Sequence, residues 1–146
     1  MDAKQIQKYG LDHAFLDHEF EISKIEVTNF VLRDIRGRIL EKINQFLEIV
    51  TEIIQPDNKV TSFNEIRFFS DKEKIQVFNT MRKLKIMHRE GLKLEIDSSE
   101  EKEIKYIKKT TIEWNDLKRE MLQIVDKLQD AWKKELRVEK EVEYFG

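Results

Sequence analysis

From Leu11 to Ile54 a seam of positions recurs at alternating spacings of four and three, and most of them are apolar: Leu11, Phe15, His18, Ile22, Ile25, Asn29, Leu32, Arg36, Ile39, Ile43, Phe46, Val50, Ile53. That alternation is a heptad seam. No proline interrupts it, and Gly37 is its only glycine. The pattern predicts one long helix over residues 12–54, capped by Asp12, spanning about 60–65 Å at 1.5 Å per residue. Leu40, Leu47 and Ile54 widen its second half into a broad apolar face, which suits a bundle with more than one neighbour.

Gln55-Pro56-Asp57-Asn58 ends this stretch, because proline stops a helix and Asp and Asn favour a turn. A second helix is expected over 62–95. Two capping boxes, Ser62 with Glu65 and Ser70 with Glu73, leave open a short separate helix over 62–69 or a kink near Ser70. Val77, Met81, Leu84, His88 and Leu92 then recur at helical spacing, with Phe78 and Met87 beside them. Gly91 weakens this helix, and Leu92 to Ile96 alternates like a strand. A lone strand would have no partner, so the segment reads as helix or fraying end. Asp97-Ser98-Ser99, followed by Glu100, Glu101 and Glu103, starts a third helix over 99–139. Its expected seam is Ile104, Ile107, Thr111, Trp114, Lys118, Met121, Val125, Leu128, Trp132, widened by Leu117, Ile124 and Leu136. Val142, Tyr144 and Phe145 are apolar enough to dock, with a second subunit as one acceptor.

Short connections make neighbouring helices antiparallel. The sequence therefore predicts an all-α fold: one domain over 1–146, an elongated up-down-up bundle of three long helices with coiled-coil-like seams.

Composition sharpens this picture. One proline and four glycines in 146 residues oppose an all-β fold, and 40% hydrophobic residues oppose disorder. The 27 basic and 29 acidic residues are interspersed, so no overall field favours nucleic acid or an anionic membrane. The lack of cysteine excludes disulfides, thiolate nucleophiles and Cys-ligated metals. The start MDAKQIQKYG is not a secretory signal, and no apolar run reaches the length of a membrane span, so a cytoplasmic protein is expected.

Candidate chemistry is sparse. His13, Asp17, His18 and Glu19 cluster in the first helix, and histidine with carboxylate at helical spacing is a metal-ligand pattern. His88 can reach that cluster only if the second helix descends past the first in the right register. Against this stands placement of His18 and His88 as amphipathic seam residues and of His13 in solvent, which is preferred; no cofactor is expected. Asn29 and Arg36 interrupt the seam, as polar residues that set register or oligomeric state do. A buried Arg36 would require a carboxylate from another helix. The preferred placement is a bundle edge, with its stem over apolar surface and its head in water. Arg82, Lys83, Lys85, Arg89 and Lys93, with His88 among them, form the most basic segment. A basic helical face is a phosphate or nucleic-acid footprint, although a solvated face is the commoner outcome.

No glycine-rich phosphate loop, Gly-x-Ser-x-Gly or His-Glu-x-x-His occurs. The expected function is a non-enzymatic helical interaction or scaffold module that self-associates, a dimer being favoured, because two broad seams exceed what three helices bury. The alternatives are a bundle that binds a metal or small ligand through His13, Asp17, His18, Glu19 and His88, an enzyme being one form of it, and a nucleic-acid-binding accessory subunit.

Overall fold

The computed structural model describes residues 1–26, 29–56 and 60–134. These residues hold six α-helices and a 3₁₀ turn: α1 (Ala3–Gln7), α2 (His13–Phe20), the 3₁₀ turn (Ile22–Lys24), α3 (Val31–Ile54), α4 (Val60–Ile66), α5 (Asp71–Ile96) and α6 (Glu100–Lys133). The fold is all-helical, with no strand among the described residues, and Leu92 to Ile96 continues α5 as helix.

The long first helix is not formed. Asp12 caps a helix as expected, accepting from the Phe15 amide, but that helix is α2 and it ends at Phe20. Glu21 follows in the left-handed region at φ 54°, and the Asp17 carboxylate captures the Ser23 amide at 2.8 Å. Ile22, Ile25, Val27 and Thr28 are β-branched and weak helix formers, so little opposes the break. The heptad spacing runs through this segment because Ile22 and Ile25 happen to fall in register. Asn29 lies in a bend ahead of α3, exposed, and not in a core seam.

From Leu32 onward the heptad reading of α3 holds. Leu32, Ile35, Ile39, Ile43, Val50 and Ile53 are buried, with Phe46 and Leu47 packed against them. The helix stops at Ile54, just ahead of Pro56, while Asp57 and Asn58 lie outside the described residues. α4 starts at Val60, two residues ahead of Ser62. The second box is real: Ser70 accepts from the Glu73 amide while Glu73 accepts from the Ser70 amide, both at 3.1 Å. The break near Ser70 thus makes α4 a separate short helix. Ser99 caps α6. The expected end near Glu139 and the apolar residues Val142, Tyr144 and Phe145 lie outside the described residues.

Side-chain contacts set the directions of the long helices. Arg36 near the start of α3 reaches Glu95 near the end of α5, and Glu73 at the start of α5 meets Lys127 near the end of α6. α5 therefore runs antiparallel to α3 and to α6. α3 packs most extensively on α5, and α6 covers both.

On α6 the buried stripe is Glu103, Ile107, Thr110, Trp114, Leu117, Met121 and Ile124. It keeps Ile107, Trp114 and Met121 of the expected seam and the widening residues Leu117 and Ile124, but a slight rotation brings in Glu103 and Thr110, leaving Val125 and Trp132 exposed and Lys118 half-buried. α5 shows the same rotation, burying Val77, Thr80, Leu84, Met87, Gly91 and Leu94, with Phe78 and Leu92 outside. The N-terminal helices close one side of the core through Trp114. Its ring lies 4.8 Å from that of Phe20 on α2 and stacks on Phe46 of α3 at 5.1 Å.

Candidate functional site

The most concentrated polar chemistry inside the fold surrounds Arg36. This side chain is 1% exposed, so the edge placement does not hold. Its Nε donates to both carboxylate oxygens of Glu103, at 3.1 and 3.0 Å. Its NH1 donates to Glu95 Oε1 at 2.6 Å and to the Gly91 carbonyl at 3.5 Å. Glu103 is itself 3% exposed and also accepts from Ser98 Oγ at 2.9 Å. Burial opposes the guanidinium charge, but the hydrogen bonds and charges of Glu103 and Glu95 outweigh it and hold Arg36 above its ordinary value. The result is a closed ionic cluster joining α3, α5 and α6. Arg36 and Glu103 are buried against one another inside it, while the Glu95 side chain is 55% exposed.

Gly91 lets those helices approach. A Cβ at this position would lie 2.6 Å from Leu40 Cδ2 and 2.9 Å from the Tyr106 hydroxyl. Tyr106 fills the space instead, its hydroxyl donating to the Met87 carbonyl at 3.0 Å. Burial pushes the Tyr106 phenol well above its ordinary value of 10.0.

The histidine and carboxylate candidates scatter into separate roles. Asp17 holds the Ser23 amide, and its hydrogen bonds to Ser23 keep it below the usual carboxylate range. Glu19 accepts from Trp114 Nε1 at 3.2 Å and from Lys118 Nζ at 2.7 Å. Burial alone would raise the Glu19 carboxyl, but the bonds from Lys118 and Trp114 lower it on balance. His18 is exposed, 4.0 Å from Glu19, and His13 is half-buried with no hydrogen bond to its Nε2. His88 on α5 contacts Arg89 at 2.8 Å, and burial, then the Arg89 and Lys85 charges, lower its pKa. Among the described residues, no three His, Asp or Glu side chains converge in a way that could hold a metal ion. No protein family, curated protein or solved structure matches the chain.

The basic segment 82–93 lies along α5. Lys83 is drawn aside to Glu120 at 2.8 Å, and Glu90 is paired with Lys109 at 2.8 Å. Arg82, Lys85 and Lys93 are exposed and have no carboxylate within ion-pair distance among the described residues. Exposed apolar side chains bracket them: Ile75 and Phe78 on one side, Ile86 between, Leu92 and Ile96 on the other. Among the described residues, no helix is long and apolar enough to cross a membrane.

Sequence reasoning missed Glu95 and Glu103 as partners of Arg36, and Ser98 as a donor to Glu103. The signal was present in the spacing of Glu103 from Ile107, Thr110, Trp114 and Leu117. A seam drawn through Ile104 instead of Glu103 hides the carboxylate on the outside of the helix.

Proposed function

We propose that this chain is a non-enzymatic helical interaction or scaffold module that self-associates, with a dimer favoured. In this reading α3, α5 and α6 form an up-down-up unit whose coiled-coil-like seams are shared with further helices. The observation that carries it is the amount of large apolar surface outside the core. Ile96 is 89% exposed and Ile112 80%, and Phe63, Leu122 and Trp132 are more than a third exposed. Single exposed apolar residues are ordinary, but several on the outer faces of α4, α5 and α6 are what partner surfaces supply. The Arg36 cluster supports the same reading, because its buried charges are engaged with one another across three helices.

Sedimentation equilibrium at tens of micromolar tests the self-associating part. A mass above that of the 17.7 kDa chain is expected. A single monomeric species across that range refutes self-association.

A further inference from the structure

We infer that the outer face of α5 is a docking stripe for an amphipathic helix of another protein, one with acidic residues at its centre and apolar residues at both ends. The inference rests on the interaction-module reading and names the kind of partner it requires.

Seven residues of α5 follow one another at spacings of three and four along a single face: Ile75, Phe78, Arg82, Lys85, Arg89, Leu92 and Ile96. All seven are exposed, and the face lies opposite the buried stripe from Val77 to Leu94. At 1.5 Å per residue the stripe is roughly 30 Å long, which is three heptads. Its ends are apolar and its middle is basic, with Lys93 adding a fourth positive charge beside Arg89. Among the described residues no carboxylate lies within ion-pair distance of Arg82, Lys85 or Arg89, and Glu90 is taken by Lys109.

The arrangement selects among occupants. A second copy paired antiparallel through the stripe places Arg82 against Arg89 and Lys85 near its own symmetry mate. A parallel pair opposes each base to itself. Both put like charges together at the centre, which costs several kcal/mol in an interface. An anionic membrane fits poorly, because interfacial helices keep Lys and Arg on the polar face, whereas here they share the midline with Ile and Phe. Nucleic acid would use the cations but not the apolar ends. A helix with the pattern apolar, acidic, apolar satisfies every position of the stripe: apolar residues bury Ile75, Phe78, Leu92 and Ile96, and its carboxylates meet Arg82, Lys85 and Arg89.

The test uses the full chain and a synthetic helix of about three heptads, with leucine or isoleucine in the outer heptads and glutamate at the central seam positions. A twin peptide carries lysine in place of those glutamates. Fluorescence anisotropy of the labelled peptides should show saturable binding of the acidic peptide and none of the twin. The double variant Arg82→Glu/Arg89→Glu should weaken binding by about tenfold or more, and Phe78→Asp should weaken it likewise. All three substituted residues are exposed, so far-UV circular dichroism should be unchanged. Equal binding of both peptides, or binding that neither variant reduces, overturns the inference. So does stronger binding to phosphatidylserine vesicles or duplex RNA, lost in the same variants, or competition at the stripe by a peptide of residues 135–146. A monomeric chain that binds the acidic peptide removes self-association and keeps the stripe. A self-associating chain that binds neither peptide does the reverse.

Discussion

Replacing Arg36 by methionine isolates the energetics of the buried cluster. The substitution keeps most of the aliphatic stem and removes the charge. Glu103, 3% exposed, then retains only the Ser98 hydroxyl of its charged and polar partners described here. Breaking a buried ion pair by removing one partner costs about 3–5 kcal/mol. The Glu95 arm adds little, because its side chain is 55% exposed and screened by water. Ser98 keeps part of the Glu103 hydrogen bonding, so we place the loss near the low end, about 3 kcal/mol. For a chain of this size that corresponds to a Tm roughly 6–12 °C lower. Urea unfolding of the parent chain, Arg36→Met, Glu103→Met and the double variant closes a cycle. The single losses should not add, since the double variant leaves no buried charge unpaired, and a coupling of about 2 kcal/mol is expected. Arg36→Lys should recover only part of the loss, because a single ammonium cannot span Glu103 on one side and Glu95 and the Gly91 carbonyl on the other, as the guanidinium does. A cost below about 1 kcal/mol for Arg36→Met, or simple additivity in the cycle, refutes the claim that this cluster couples the three helices.

Four further expectations follow from the same geometry. Gly91→Ala should destabilise the fold by about 1 kcal/mol, because crowding Leu40 and the Tyr106 hydroxyl outweighs the gain in helix propensity; increased stability in thermal melting would contradict the close approach. Ser70→Ala should cost about 1 kcal/mol in urea unfolding through loss of the capping box at the start of α5, and no change would mean that α4 and α5 are not separated there by a cap. The folded-state pKa of Tyr106 is raised by burial, so its contribution to stability is fully present below pH 10.0, its ordinary value, and is lost as pH rises above it; Tyr106→Phe should flatten that alkaline decline, and an unchanged pH profile of unfolding would refute the assignment. Chelator should leave the melting temperature unchanged, since Glu19 is engaged by Trp114 and Lys118; stoichiometric metal on elemental analysis, with a lowered melting temperature after its removal, would overturn that role for Glu19.

Much of the helix punctuation was written locally. Asp12, Ser70 and Ser99 cap helices because each places a side-chain oxygen within reach of an amide three residues on. Pro56 stops α3 because its ring forbids continuation, whatever the rest of the chain does. The break after Phe20 was also local in origin, in a β-branched run and in Asp17 reaching Ser23, but the coincidental register of Ile22 and Ile25 masked it. Spacing alone does not separate a helix that continues from two helices whose apolar residues happen to stay in phase.

The sequence by itself determined that the chain is helical, where its strongest caps and stops fall, and that Leu32 to Ile53 presents one core face. Those properties depend on residues within a few positions of each other. Which face of α5 and α6 turns inward was decided only by tertiary packing. The two helices carry apolar residues on more than one face, and a slight rotation of α6 brings Glu103 into the buried stripe in place of Ile104 while Ile107, Trp114 and Met121 stay within it. Arg36 was placed by the same decision. A guanidinium is buried only where carboxylates arrive to meet it, and Glu103 and Glu95 lie 67 and 59 residues away along the chain. No local pattern encodes that meeting. It exists because Gly91 lets three helices close on one point, and the same rotation leaves the basic and apolar stripe of α5 facing outward.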